Sequence, residues 1–110
     1  MGKLVYIASP YTFGDLAFNV RRQIFNAEYI RDAGFVPEVP LLSHFWYMIS
    51  PHNYEYWMQL NLDKLEHCDC LVRLSGKSKG ADREVEYAKK LGIPVYYSVL
   101  DMIKAERYEE

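Results

Sequence analysis

Two hydrophobic rhythms alternate along this chain: short unbroken apolar runs, and stripes that return every three or four residues. The run Lys3–Ser9 (KLVYIAS) is apolar and β-branched without polar alternation, as expected of a central strand covered on both faces. Pro10 ends it, and PYTFGD makes a loop. Asn19–Ala33 then reads as a helix, with Val20, Ile24, Ala27 and Ile30 on its apolar stripe and Arg21, Arg22, Glu28 and Arg31 mostly outside. Gly34 stands where a left-handed C-terminal cap belongs. FVPEVPLL follows as a short second strand, and its two prolines assign it to a position nearer an edge.

The stretch SHFWYMISPHNYEYW shows little clear periodicity. From about Tyr54 to His67 the pattern is helical again, with Trp57, Leu60 and Leu65 among the buried positions. Asp69–Leu74 (DCLVRL) is a third strand, SGKSKG a turn by composition, and ADREVEYAKKLG the clearest helix of the chain. Its Ala81, Val85 and Ala88 share a face, Lys89 and Lys90 lie at the negative end of the helix dipole, and Gly92 caps it. IPVYYSV supplies a fourth strand and DMIKAERY a final short helix. Strands alternating with helices predict a single domain over residues 1–110. It is a three-layer α/β sandwich around a mostly parallel sheet of four or five strands, flavodoxin- or Rossmann-like, with right-handed crossovers. Such sheets bind ligands beyond the carboxyl ends of their strands, which selects three loops: SPYTFGD, the aromatic stretch and SGKSKGAD.

Composition narrows the classes. The formal net charge is -2, so nothing draws the whole molecule to a nucleic acid polymer or an anionic membrane, and any phosphate must be held locally. The N-terminus lacks the apolar stretch and cleavage site of a secretion signal. No segment approaches the roughly 20 apolar residues of a membrane span. Cys68 and Cys70 are read as reduced thiols pointing to opposite faces, and the location as cytoplasmic. His44, His52 and His67 lie near them in sequence, but the spacings match no standard zinc pattern and no metal is expected. Ten tyrosines in 110 residues exceed what a small monomer buries, which points to a homodimer or higher homo-oligomer.

The strongest local feature is SGKSKGADRE. A turn rich in Gly, Ser and Lys leads straight into a helix whose first backbone N–H groups are free, an arrangement that favours an anion, commonly phosphate. It is no Walker A motif, since Ala-Asp follows the second glycine. Within the helix, Glu84 flanks the Val85–Ala88 stripe and reaches over the strand ends toward the first loop. The dipole at the helix start favours its ionised form, as a nucleophile needs. Acidic residues in first turns also serve simply to stabilise helices, and the residues alone leave both readings open. Tyr6 on the first strand can orient a carboxylate. Tyr11, Phe45 and Trp46 offer flat surfaces for a base to stack on, or plain packing surface.

Taken in order, YIASPYT, a helix carrying Asn19, PLLSH, a Trp-containing helix, CDCLVRL and SGKSKGADREVEYAKKLGIPV resemble the nucleoside 2-deoxyribosyltransferase superfamily. The nearest likeness is to its small phage and bacterial members of unknown function. The pattern is also similar to the 2′-deoxynucleoside 5′-monophosphate N-glycosidases. The resemblance runs from Tyr6 to about Tyr97. It implies Glu84 as the nucleophile at the anomeric carbon, Tyr6 as its partner, and Ser78, six residues earlier, as a ligand of a 5′-phosphate. The family carries an aspartate eight residues before the acid that opens the third strand (here Asp69). This chain has Asn61 there, with Asp63 two residues on. The implied catalytic set is therefore Glu84, Tyr6, Asn61 and Asp63. The implied substrate-binding set is Ser9, Tyr11, Phe45 and Trp46 with Ser75, Gly76, Ser78 and Gly80 of the turn. No cofactor or metal is implied. The expected activity is cleavage or transfer of the N-glycosidic bond of a (2′-deoxy)nucleoside 5′-monophosphate through a glycosyl-enzyme intermediate. Transfer between free nucleosides, or nucleotide binding with little turnover, are the alternatives. The expected partner is a small-molecule nucleotide or nucleoside.

Overall fold

In the computed structural model, which describes residues 2–107, the first strand, β1 (Leu4–Ala8), is apolar on both faces because both are covered. Val5 and Ile7 point into one core and Tyr6 and Ala8 into the other, all fully buried. β1 pairs in parallel with β2 (Val36–Glu38) on one side and β3 (Cys70–Arg73) on the other, and β4 (Val95–Tyr96) adds beyond β3. The sheet is four-stranded and fully parallel, in the order β2-β1-β3-β4. α1 (Leu16–Asp32) and α5 (Val99–Arg107) supply Ala27, Ile30, Met102 and Ile103 to the first core. α3 (Tyr54–Leu65) and α4 (Lys79–Leu91) supply Met58, Leu62, Leu65, Ala81, Val85 and Ala88 to the second. The result is the three-layer α/β sandwich that the alternation of patterns predicts. Among the described residues, no helix is long and apolar enough to cross a membrane.

Helix ends follow local chemistry. α1 begins at Leu16, before the expected Asn19, because the Asp15 carboxylate caps it by accepting from the Phe18 N–H at 2.9 Å. It ends in a Schellman motif. Gly34 adopts φ +100°, its N–H donates to Arg31 O at 3.0 Å, and the Phe35 N–H donates to Ile30 O at 3.2 Å. On its inner face Gln23, rather than the expected Ile24, is buried. The amide finds a partner for each end. Nε2 donates to Ile7 O (3.1 Å) and Ser9 Oγ (2.7 Å), and Oε1 accepts from the Leu41 N–H (2.8 Å). A satisfied amide is tolerated where an unpaired one is not.

Other boundaries are corrected. FVPEVPLL is a three-residue edge strand followed by a 3-10 turn, Pro40–Leu42, since the second proline cannot donate to a ladder. The aperiodic aromatic stretch contains a short helix, α2 (Ser43–Ile49), with no buried residue. In α3, Met58 and Leu62 are buried, while Trp57 and Leu60 are half-buried. The third strand, Cys70–Arg73, is shorter than DCLVRL: at Asp69 the carboxylate takes the Leu4 N–H at 2.7 Å, while the Asp69 N–H donates to Leu4 O at 2.8 Å. β4 keeps only two residues of IPVYYSV. Ser98 turns the chain by accepting from the Asp101 and Met102 N–H groups, so α5 starts at Val99. Tyr108, expected within that helix, lies outside the described residues. Cys68 and Cys70 do face opposite cores, although residues two apart in a strand share a face. Cys68 precedes the strand, in the turn closed by its N–H to Leu65 O at 3.0 Å. Burial, the largest cause for each, pushes both thiols up to about 12, so they stay protonated at neutral pH.

Candidate active site

The carboxyl end of β1 and the loop after it, the inner side of α1, the Pro40–Leu42 turn, the start of α4 and the inner sides of α2 and α3 line a cavity of about 870 Å³. Ser78 starts α4: its Oγ accepts from the Ala81 N–H at 3.0 Å, the N-cap bond that opens the helix. Counting from that cap, Glu84 is in the second turn, not the first. It shares the inward face with Ala81 and Ala88, three residues before and four after it, and is 5 % exposed.

Tyr6, buried on β1, meets Glu84 from the sheet. Its Oη donates to Glu84 Oε2 at 2.5 Å. Burial pushes the Glu84 carboxyl up to about 7, against the Tyr6 hydrogen bond, the Arg73 charge and the Asn61 amide, which favour the ionised form. The helix dipole expected to hold this group ionised has faded by the second turn. Burial, then the neighbouring Glu84, raises Tyr6 well above the usual phenol range, so it remains a donor. Arg73 is itself buried behind the turn. It donates to Leu74 O, to Gly76 O (2.8 Å) and to Asp82 Oδ1 (2.9 Å), tying the turn to α4.

The turn delivers Lys77, Ser78, Lys79 and Gly80 to the cavity wall. Gly76 is required by conformation and by space: its φ is +119°, and a Cβ there would stand 2.8 Å from Pro10 Cγ. Ser9, just past the end of β1, lines the same cavity as Asn61 and Glu84. Asn61 Oδ1 is buried and, among the described residues, has no hydrogen-bond partner. A buried acceptor without a partner on a cavity wall is open to any donor that enters the cavity. On the outer side, Tyr11 lines the cavity and its Oη lies 2.6 Å from His44 Nδ1.

The structure thus brings together Glu84, Tyr6, Asn61, Ser9, Tyr11, Ser78 and Gly80. The other expected residues lie apart from the cavity lining. Asp63 is on the exposed side of α3, accepting from Gln59 Nε2 at 2.9 Å, because two helical residues turn it away from Asn61. Phe45 lines a smaller groove between α1 and α2. Trp46 packs edge-on against Trp57, with centroids 5.2 Å apart. Ser75 is exposed, its carbonyl accepting from Arg22 at 2.7 Å, and Gly76 shapes the turn from behind. The aromatic wall is instead built by Tyr47, Tyr54 and Trp57 together with His44 and His52. His44 follows the second strand in PLLSH, so the strand-end rule marked its segment but not its side chain. Among the described residues, no group of three His, Cys, Asp or Glu side chains converges as a metal would need.

A family model described as "Domain of unknown function (DUF7768)" matches residues 3–98. No curated protein matches the chain. Among solved structures, the chain is similar to a 2-deoxyribosyltransferase from the psychrotolerant bacterium Bacillus psychrosaccharolyticus. The TM-score is 0.64 at 20 % identity, covering 84 % of this chain and 69 % of that one. At that identity the similarity is one of fold.

Proposed function

The chain belongs to the family described as a domain of unknown function (DUF7768), a description that assigns no activity, and from its site we propose that it breaks the N-glycosidic bond of a 2′-deoxynucleoside 5′-monophosphate. The observation that carries this reading is Glu84, buried beside the cavity and held by Tyr6, with a capped helix N-terminus in the same wall. A carboxylate held by the Tyr6 hydroxyl and the Asn61 amide has its orientation set before the substrate arrives, as a nucleophile needs. Its ester with C1′ is then opened by water, or by a second base in a transfer. The free N–H groups of the first turn of α4, with the Ser78 hydroxyl, Lys77 and Lys79, suit a 5′-phosphate. About 870 Å³ is ample for a nucleotide. The likeness in fold to a solved 2-deoxyribosyltransferase supports glycosyl-transfer chemistry on a nucleoside as the general class.

Asn61 favours a second reading, a nucleotide-binding module with little turnover. An amide can accept from a sugar hydroxyl but cannot donate a proton as a carboxylic acid does. Incubation with a panel of deoxynucleotides, ribonucleotides and free nucleosides, followed by chromatography for free base, separates the readings. Release from a monophosphate, abolished in a folded Glu84→Gln variant, is the expected result. Thermal stabilisation by a monophosphate with no base released over hours would instead establish the binding module.

A further inference from the structure

Among the described residues that line the cavity, Glu84 is the sole carboxylate. Breaking a C1′–N bond asks for a second group, because a nucleobase leaves poorly as an anion and well once a ring nitrogen is protonated. The remaining ionisable side chains on the wall are Tyr11, His44, Tyr47, His52, Tyr54 and the two lysines of the turn. Lys77 and Lys79 flank Ser78 at the phosphate end, and Lys77 Nζ sits over the Phe13 ring at 5.6 Å. Of the phenols, Tyr11 is engaged by His44, and Tyr47 and Tyr54 are exposed; a phenol is ordinarily a weaker acid than an imidazolium. His52 is exposed and lies flat on Tyr56, with ring centroids 3.8 Å apart and planes 20° from parallel. His44 differs from all of these. It is half-buried, it lines both this cavity and the groove between α1 and α2, and Tyr11 Oη engages its Nδ1 at 2.6 Å, which fixes the ring and keeps Nε2 clear of that bond.

We propose that His44, held by Tyr11, is the acid that protonates the departing base and then the base that receives the proton of the attacking water. The assignment rests on the reading of Glu84 as nucleophile and adds the group that reading lacks. In the first step a Glu84 oxygen supplies the electron pair of the new bond to C1′. The C1′–N bond breaks with its pair going to the nucleobase, and the Nε2 proton of the imidazolium passes to a ring nitrogen, so the base leaves neutral. In the second step water attacks C1′, and the C1′–O bond to Glu84 breaks with its pair returning to the carboxylate. Nε2 then takes the proton that water sheds. The sum is nucleotide plus water giving free base plus sugar 5′-phosphate, with both side chains restored. Tyr11 acts through His44 and is a positioning residue.

The test compares leaving groups that do and do not need a proton. Single-turnover release of base, with protein in excess, is measured for 2′-deoxyguanosine 5′-monophosphate and its N7-methylated counterpart, whose cationic base departs neutral unaided. If the protein takes only pyrimidines, the matched pair is 2′-deoxyuridine 5′-monophosphate and its 5-nitro analogue, a leaving group stable as the anion. His44→Gln is expected to slow release of the ordinary base by about 100-fold or more, with far less effect on the activated one. Equal slowing of both substrates, no slowing of either, or the same selective loss in His52→Gln instead would overturn the assignment. A wild-type protein that releases base and loses this in Glu84→Gln, yet is indifferent to His44→Gln, keeps the nucleophile and discards the acid. Wild-type protein that releases no base from any substrate removes both.

Discussion

In the role proposed for it, Glu84 is subject to opposed demands: burial favours the protonated acid, and nucleophilic attack needs the anion. With its carboxyl pushed up to about 7 by burial, release of the N7-methylated base, which needs no acid, should rise with pH through about 7 and level off above. Release of the ordinary base should also fall again once His44 has lost its proton, and pH–rate profiles on the two substrates check this. Tyr6→Phe removes the donor to Oε2. A hydrogen bond to a charged group contributes about 1.5–3 kcal/mol, so the rising limb should move one to two units higher and release at pH 7 should fall by about tenfold or more. An unchanged limb would show that the bond does not tune the carboxylate. The same shift acts on stability. Below the ordinary 4.5 both folded and unfolded chains hold the proton. Between 4.5 and about 7 the unfolded chain gives it up first, so stability falls as pH rises. The loss approaches about 3 kcal/mol above pH 7. Glu84→Gln should therefore melt higher than wild type at pH 8, with the gain shrinking toward pH 4.5. A gain independent of pH would point to some other origin.

At the scale of elements, α4 joins two roles in one residue. Ser78 opens the helix by accepting from the Ala81 N–H, and the same hydroxyl is assigned to the phosphate. Ser78→Asp separates these. Aspartate caps as well as serine, so thermal stability should hold within about 0.5 kcal/mol, while its charge should raise KM for a monophosphate and spare a free nucleoside. Equal KM changes for both would remove the phosphate from this turn. The legibility of the elements follows the same division between local and distant causes. The body and end of α4 could be read from sequence because its stripe and closing glycine lie in one short segment, but its start could not: Ser78 caps it from inside the SGKSKG turn, and the helix opens at Lys79, two residues before the expected Ala81. The start of α1 was missed because Asp15 acts from outside the apolar pattern. Gln23 was missed because its burial depends on partners in β1 and beyond β2, which no periodicity displays. The site divides likewise. Glu84, Ser78 and Gly80 come from one segment and Tyr6 from the central strand, whereas the Tyr11–His44 pair exists only after folding brings two loops together.

For the molecule as a whole, the unresolved demand is what holds α2. Isolated helices of seven residues do not persist in water, and α2 buries no residue within this subunit. Its Ile49 is 88 % exposed and its Met48 67 %, and the groove between α1 and α2 is lined by Val20, Ile24, Phe25 and Phe45. Yet α2 carries His44 and Tyr47 into the cavity wall, so its position bears on the chemistry. A second copy of the chain packed on this face would cover the apolar surface and fix α2, as the aromatic excess suggests. Sedimentation should then show a dimer or larger species. Ile49→Lys combined with Met48→Lys should shift it toward monomer and slow base release without altering the leaving-group selectivity assigned to His44. A wild-type protein that sediments as a monomer at its highest soluble concentration, fully active, would mean that α2 is held by its own subunit alone.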